Sequence, residues 1–333
     1  MAHNFLKKTH PICFSLFLIT LINQALPTGA LAQFRVEGKN VVIDQSGRRI
    51  YIAHPFRRII SLYGAHTENL FKLGLNNEIV GVSRHEDYPQ PALEKPIFSY
   101  HDDPEKFLAA RPDLVLLRPM IDRGYPQLVS RLEKSGITVV SLQPGTVKEV
   151  YVYWEILGVL TGRQPQAMDM ILRFQNAVAD LKALTNTKFD KKKVYFEAIH
   201  SKMKTFSPDS MAIFALETAG GVNVAADAKP VRKTNIAYFG KERILSHASE
   251  IDVYLAQYGA MNRPTESLIK SEPGFKIIKA VTNNQIHIID ERIVSRPTYR
   301  LLDGIYKIGK ILYPAEFDEK ALEILKEAKG GKD

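Results

Sequence analysis

The chain has 333 residues, a formal net charge of +9 and a single cysteine, Cys13. Its basic residues are scattered, with no tract beyond Lys191-Lys192-Lys193 and no basic–aromatic interleaving. That excludes a nucleic-acid partner and leaves an anionic small molecule or a solubilising surface to account for the charge. One cysteine also excludes an internal disulfide, so stability must come from packed cores.

The first 32 residues read as a secretory signal. Lys7 and Lys8 precede a short apolar run, Cys13 to Ile22, and Ala30-Leu31-Ala32 supplies a small-x-small cleavage site. The run is too short to span a bilayer comfortably. Cleavage after Ala32 would remove Cys13 and leave residues 33–333, with no cysteine to carry a lipid. A soluble periplasmic protein is expected. Its length approaches the size at which one core stops growing, so two lobes are expected.

The mature chain opens on two short β runs around Asp44-Gln45-Ser46-Gly47, which is hairpin chemistry. Ile59, Ile60 and Leu62 then form a buried strand, Tyr63-Gly64-Ala65 a turn, and Leu70, Phe71, Leu73 and Leu75 the inner face of a helix. A strand over Ile79 to Val82 delivers the polar segment Ser83 to Pro89. Strand, turn, helix and strand make a βαβ unit. In open parallel sheets ligands sit beyond the carboxyl ends of the strands, which places Tyr63-Gly64 beside Arg84-His85 at a cleft.

The pattern continues with a helix over Pro104 to Ala110, a strand over Pro112 to Leu117, a helix over Tyr125 to Lys134 and a strand over Gly136 to Leu142. Thr146 is placed to cap a helix ending at Gly162. From Gln166 to Leu184 a 3.6-residue period persists over roughly 20 residues, about 30 Å, enough to pass between lobes. Polar residues from Asn186 to Lys193 follow. The second lobe reads as a strand over Val194 to Ile199, helices over Met211 to Ala219 and Lys241 to Ser246, strands over Ile251 to Leu255 and Ile286 to Ile289, and a closing helix over Arg300 to Leu312. Lys329 to Asp333 reads as a frayed tail. The expected class is α/β: two Rossmann-like lobes, 33–162 and 189–333, joined by a long interdomain helix over 163–188.

No P-loop, glycine-rich dinucleotide turn, nucleophile elbow or HExxH motif is present, so an enzyme is not expected. Candidate chemistry gathers at element ends. His85 and His101 follow first-lobe strands and His200 follows the first strand of the second lobe. Neutral imidazole suits transition metals, which makes these three the candidate metal ligands. The alternative is ordinary loop polarity, since neighbours in His85-Glu86-Asp87 and His101-Asp102-Asp103 point in alternate directions. Arg84, Arg118, Arg296 and Arg300 lie near the same edges, with Tyr63, Tyr100, Phe206, Tyr238 and Tyr299. Guanidinium forks suit anionic groups and aromatic faces suit flat or apolar ligand parts.

These residues carry a resemblance. Arg58-Ile59-Ile60-Ser61-Leu62 with Thr67-Glu68, Gly74, Val80-Gly81-Val82, Asp87-Tyr88-Pro89, Pro112-Asp113-Leu114-Val115, Gly136-Ile137, Gly220-Gly221 and Ala280-Val281 to His287 resemble, in order, the substrate-binding proteins of ABC importers for iron–siderophore complexes, haem and cobalamin. The resemblance implies two lobes on one rigid helix, a ligand held between them and little closure. It also implies an exposed permease-docking glutamate on each lobe, matched by Glu105 and Glu242. Where cobalamin binders commonly carry Ser-Pro, this chain has Tyr63-Gly64, and His85 replaces a common aromatic. The expectation is a non-enzymatic, monomeric binding protein without a resident cofactor. It would deliver a metal chelate, ferric siderophore-like, to a permease of the inner membrane. Corrinoid, haem, free metal or oxyanion are the alternatives.

Overall fold

The computed structural model describes Met1 and residues 34–232 and 234–330. The expected export signal lies outside the described residues, as do the last three residues of the expected frayed tail; the tail's first residue, Lys329, instead ends a helix capped by Gly330. Strands β1 (Arg35–Glu37), β2 (Val41–Ile43) and β3 (Arg49–Tyr51) form an antiparallel sheet. Its β2–β3 turn does more than precede the first lobe. Asp44 is fully buried and accepts hydrogen bonds from the backbone N–H groups of Ser46, Arg48 and Ser141, each at 2.9 Å, and from Arg48 Nη1 at 3.0 Å. Arg48 also pairs with Asp122 at 2.6 Å. The turn is thereby clamped to the first lobe.

That lobe runs β4 (Ile59–Ser61), α1 (Gly64–Lys72), β5 (Ile79–Ser83), β6 (Ile97–Phe98), α2 (Pro104–Ala110), β7 (Leu114–Leu117), α3 (Pro119–Gly124), α4 (Pro126–Lys134), β8 (Thr138–Ser141) and α5 (Val147–Thr161). The five strands are all parallel, in the order β6-β5-β4-β7-β8. Thr146 and Glu149 form a reciprocal capping box at the start of α5, and Gly162 ends it in the left-handed region at φ +67°. Such a cap contributes ~1 kcal/mol. Helix α6 (Gln164–Ala183) is 20 residues long.

The second lobe follows as β9 (Lys193–Ile199), β10 (Lys204–Phe206), α7 (Met211–Thr218), β11 (Val222–Asn223), β12 (Lys229–Pro230), β13 (Ile236–Tyr238), α8 (Lys241–Ser246), β14 (Val253–Tyr258), α9 (Glu266–Ser271), α10 (Lys279–Thr282), β15 (Ile286–Asp290), α11 (Glu291–Val294), α12 (Leu301–Leu312) and α13 (Glu319–Lys329). Its sheet is mixed, in the order β12-β13-β10-β9-β14-β15, with β11 beside the start of β9. Strands β9, β14 and β15 are parallel, whereas β10, β12 and β13 pair antiparallel. A doubly wound parallel sheet therefore describes the first lobe but only part of the second.

Helix α6 packs against α5 on one side and α7, α12 and α13 on the other. Trp154 of α5, Phe174 of α6 and Tyr299 ahead of α12 pack edge-to-face or tilted, with ring centroids 5.2, 5.7 and 6.0 Å apart. Trp154 is fully buried. One apolar cluster runs from Phe34 through this trio to Ala328 and includes strands of both lobes. Tyr299, expected near the cleft, is thus a core residue, its hydroxyl donating to the Ala328 carbonyl at 2.7 Å.

Candidate functional site

The carboxyl ends of the parallel strands form two opposed walls. The first carries Tyr63 after β4, Arg84 after β5, Tyr100 after β6 and Arg118 after β7. The second carries His200 after β9, Tyr258 at the end of β14 and Glu291 after β15, with Tyr258 in register with Asp290. They meet at one end: Arg292 Nη1 donates to Asp87 at 2.7 Å, and Arg296 Nη1 lies 3.0 Å from where a Cβ on Gly64 would stand. Gly64 is thus where a second-lobe guanidinium approaches first-lobe backbone, and a larger residue there would require that guanidinium to shift.

On the first wall, the Arg118 guanidinium lies 4.7 Å over the Tyr63 ring, which stands edge-on to His66 at 5.2 Å. Among the described residues Arg118 meets no carboxylate, and its Nε is buried without a partner. Burial pushes the Tyr63 hydroxyl above its ordinary pKa, opposed by the nearby Arg118, so the phenol stays protonated at neutral pH. His66 is wholly buried, with Nδ1 2.7 Å from the Tyr153 hydroxyl and Nε2 3.3 Å from the Leu117 carbonyl. Burial drives its pKa down to about 3, so the ring is neutral and braces both Tyr63 and the residue before Arg118.

Beside this pair lies an aromatic shelf. Tyr100, His101 and Tyr125 have centroids 4.4 to 5.1 Å apart, and the Tyr125 hydroxyl is 3.1 Å from His101 Nδ1. His101, His85 and Arg84 are exposed. Glu86, by contrast, tucks beneath Gly64. Its Oε1 accepts from the Ser83 backbone and Thr67 hydroxyl, both at 3.2 Å, and burial raises its pKa.

The arginines on the second lobe do not behave as expected from their positions. Arg296 Nη1 donates to Glu68 at 3.1 Å and Asp87 at 3.0 Å. Arg300 grips Glu68 through Nε at 2.8 Å and Nη2 at 2.6 Å. Arg292 is shared between Asp87 and Asp290. Arg296 and Arg300 are therefore already neutralised by first-lobe carboxylates, which corrects their assignment as ready anion ligands.

Phe206 needs a similar correction. Strand β10 runs antiparallel to β9, so it leaves the cleft edge as it proceeds. Lys204 pairs with Ile199 there, while Phe206 is buried 5.0 Å from Phe196. Tyr238 does reach the edge, because it is in register with Lys204; its ring is exposed beneath that ammonium at 4.6 Å.

His200 is buried rather than presented. Its Nδ1 lies 2.7 Å from Glu197, a fully buried carboxylate that also accepts from Tyr254 and Asn262. The Glu197 hydrogen bond raises the His200 pKa, with Glu272 at 3.7 Å adding to it. Among the described residues no three His, Cys, Asp or Glu side chains converge on a metal position. His85, His101 and His200 thus do not assemble a resident metal centre.

Tyr258 and Met261, both about half exposed or more, stand at the second wall's edge and were missed from sequence. Strand β14 extends three residues past the expected end at Leu255, and that extension carries Tyr258 to the mouth. The expected docking residues Glu105 and Glu242 are exposed at the starts of α2 and α8. Glu105 pairs weakly with Arg131 at 3.4 Å.

The model of the Periplasmic binding protein family matches residues 59–293, which span both walls. The chain belongs to that family. It is 26% identical over 282 residues to an uncharacterised ABC transporter substrate-binding lipoprotein, YvrC, of Bacillus subtilis, covering 83% of this chain and 86% of that one. It is 26% identical over 271 residues to the vitamin B12-binding protein of Vibrio cholerae, covering 80% and 93% respectively. Among solved structures, a possible iron-binding (periplasmic solute-binding) protein from Staphylococcus epidermidis superposes with a TM-score of 0.69 at 27% identity. That match covers 78% of this chain and all of the other. Members of the family are substrate-binding components of transport systems that work with a membrane permease, and the chain shares their two-lobed fold.

Proposed function

We propose that this protein captures a metal chelate, ferric siderophore-like, between its lobes and delivers it from the periplasm to the permease of an ABC importer. Arg118 is the observation that carries the reading. It is a cation at a strand's carboxyl end, held over the Tyr63 ring, with no carboxylate partner among the described residues. An anionic group of a chelate would meet it directly, while Tyr63, Tyr100 and Tyr125 supply faces for flat or apolar parts. Arg84 and Tyr238 line the rim, and His85 or His101 can reach a chelated metal singly, without a resident metal site. The relatives named above include a vitamin B12 binder and a possible iron binder, so a corrinoid or haem on the same walls is the second reading. Tyr63-Gly64 and His85 favour the iron chelate.

Intrinsic fluorescence titrations with ferric hydroxamate and catecholate siderophores, haemin, cyanocobalamin and bare ferric ion test it. Saturable quenching by a ferric chelate is expected, and Arg118→Gln should weaken it about tenfold, as for one lost charge-assisted contact. Quenching by bare ions or oxyanions alone would sink the chelate reading. Docking is assigned to Glu105 and Glu242. In reconstituted transport, Glu105→Ala and Glu242→Ala should leave ligand affinity unchanged and lower uptake severalfold; a loss of affinity instead would remove that role.

A further inference from the structure

The ion pairs that join the walls are unequal. Glu68 is only 3% exposed, and three hydrogen bonds from Arg296 and Arg300 saturate it. Its neighbour Asn69 donates to the Pro297 carbonyl at 2.8 Å, so two successive residues of α1 are tied to the segment before α12. Breaking such a buried pair leaves an uncompensated charge, which makes this junction a permanent one. Asp87 differs. It sits on the loop after β5 with a quarter of its side chain exposed, and Arg292, its nearest partner at 2.7 Å, is 40% exposed. The Asp87–Arg292 pair is partly open to solvent, so water can replace it more easily than it can the Glu68 pairs. Arg296 and Arg300 also touch Asp87, at 3.0 and 3.7 Å, yet both keep Glu68 if Asp87 lets go.

We propose that Glu68 and Asp87 are positioning residues that set the spacing of the two cleft walls, Glu68 as a fixed pivot and Asp87 as a releasable clasp. The pivot lies one turn along α1 from Gly64 and is buried, so lobe movement would be a rotation about that point and not a separation. The clasp lies beyond it, beside Arg84 and His85, and its release swings Tyr258 and Met261 away from Tyr63 and Arg118. While it is shut, Asp87, Glu68 and Asp290 neutralise Arg292, Arg296 and Arg300, and anionic ligand groups are read by the first wall. The effect on affinity rests on the proposed ligand site; the effect on spacing does not.

Pulsed electron paramagnetic resonance separates the two. With Cys13→Ser as background, spin labels at Gln127→Cys and Ser267→Cys, both exposed, report the interlobe distance. The parent should give one narrow distribution. Asp87→Asn should broaden it or add a longer component while leaving the melting temperature within about 2 °C, and Asp87→Glu should restore it. Glu68→Gln should broaden it further and lower the melting temperature. An unchanged distribution in Asp87→Asn overturns the clasp even if Glu68→Gln fails to fold. With haemin and a ferric hydroxamate as probes, Asp87→Asn should lower affinity severalfold and speed dissociation. A widened distance with neither probe bound by any variant upholds the clasp and removes the chelate reading instead.

Discussion

On acidification below about pH 6.5 the protein should lose ~1.4 kcal/mol of stability per pH unit on account of His66 alone, the linkage slope of one proton bound by the unfolded chain and not by the folded one. The sign follows from the direction of the shift. Burial depresses the folded pKa of His66 from 6.5 to about 3. Its contribution is therefore complete above pH 6.5 and is spent as pH falls through the window down to about 3, for a total of ~5 kcal/mol by the same linkage. Replacing the ring with a residue that does not titrate removes this slope. Urea unfolding of wild type and His66→Gln between pH 7.5 and 4 should give a stability difference that shrinks steadily with acid. A constant difference would mean that His66 takes up its proton in the fold as it does in the unfolded chain, and with it the bracing of Tyr63 and Leu117 would be misassigned. His200 works in the opposite direction. Its raised pKa contributes stability that is present below pH 6.5 and lost as pH rises through the folded value, so it does not mimic the His66 effect.

Asp44→Ala should be the most damaging single substitution outside the apolar core. It strips three backbone N–H groups of their shared acceptor in a fully buried position, while Arg48 keeps Asp122 and Glu133. Buried backbone donors left unsatisfied cost ~1–3 kcal/mol each. Asp44→Asn keeps the shape and one good acceptor, and should recover about half of that loss. Thermal denaturation of the two variants decides it. A melting temperature for Asp44→Ala within 2 °C of wild type would show that the β2–β3 turn is an appendage and not a clamp on β8.

Most helices and the parallel strands were legible because their signals are local. Pro104 at the first turn, the Thr146–Glu149 box and Gly162 each act within a few residues, and the corresponding helices lie where these signals place them. Helix α3 escaped because six residues are too few to show a period, and α13 because Pro314, two residues past Leu312, reads as the stop of a closing helix. The direction of the antiparallel strands in the second lobe was not legible. Whether β10 runs with or against β9 depends on a tight return through residues 200–202, and that choice buries Phe206 and exposes Tyr238. The arginines failed for a different reason. Arg296 and Arg300 find Glu68 across 228 and 232 residues of chain, and no spacing rule reaches that far. Positions at element ends were read well; the partners waiting there were not.

The aromatic trio of Trp154, Phe174 and Tyr299 bears on how this protein can be taken apart. Each half has an apolar cluster of its own, but the cluster around this trio belongs to both at once, so neither half alone completes its interior. A gene cut in the loop near Asn186 should yield two fragments that are insoluble when expressed separately and recover a folded protein only when produced together. A reporter domain inserted there would report on assembly, whereas one inserted near the clasp at Asp87 would report on what the cleft holds.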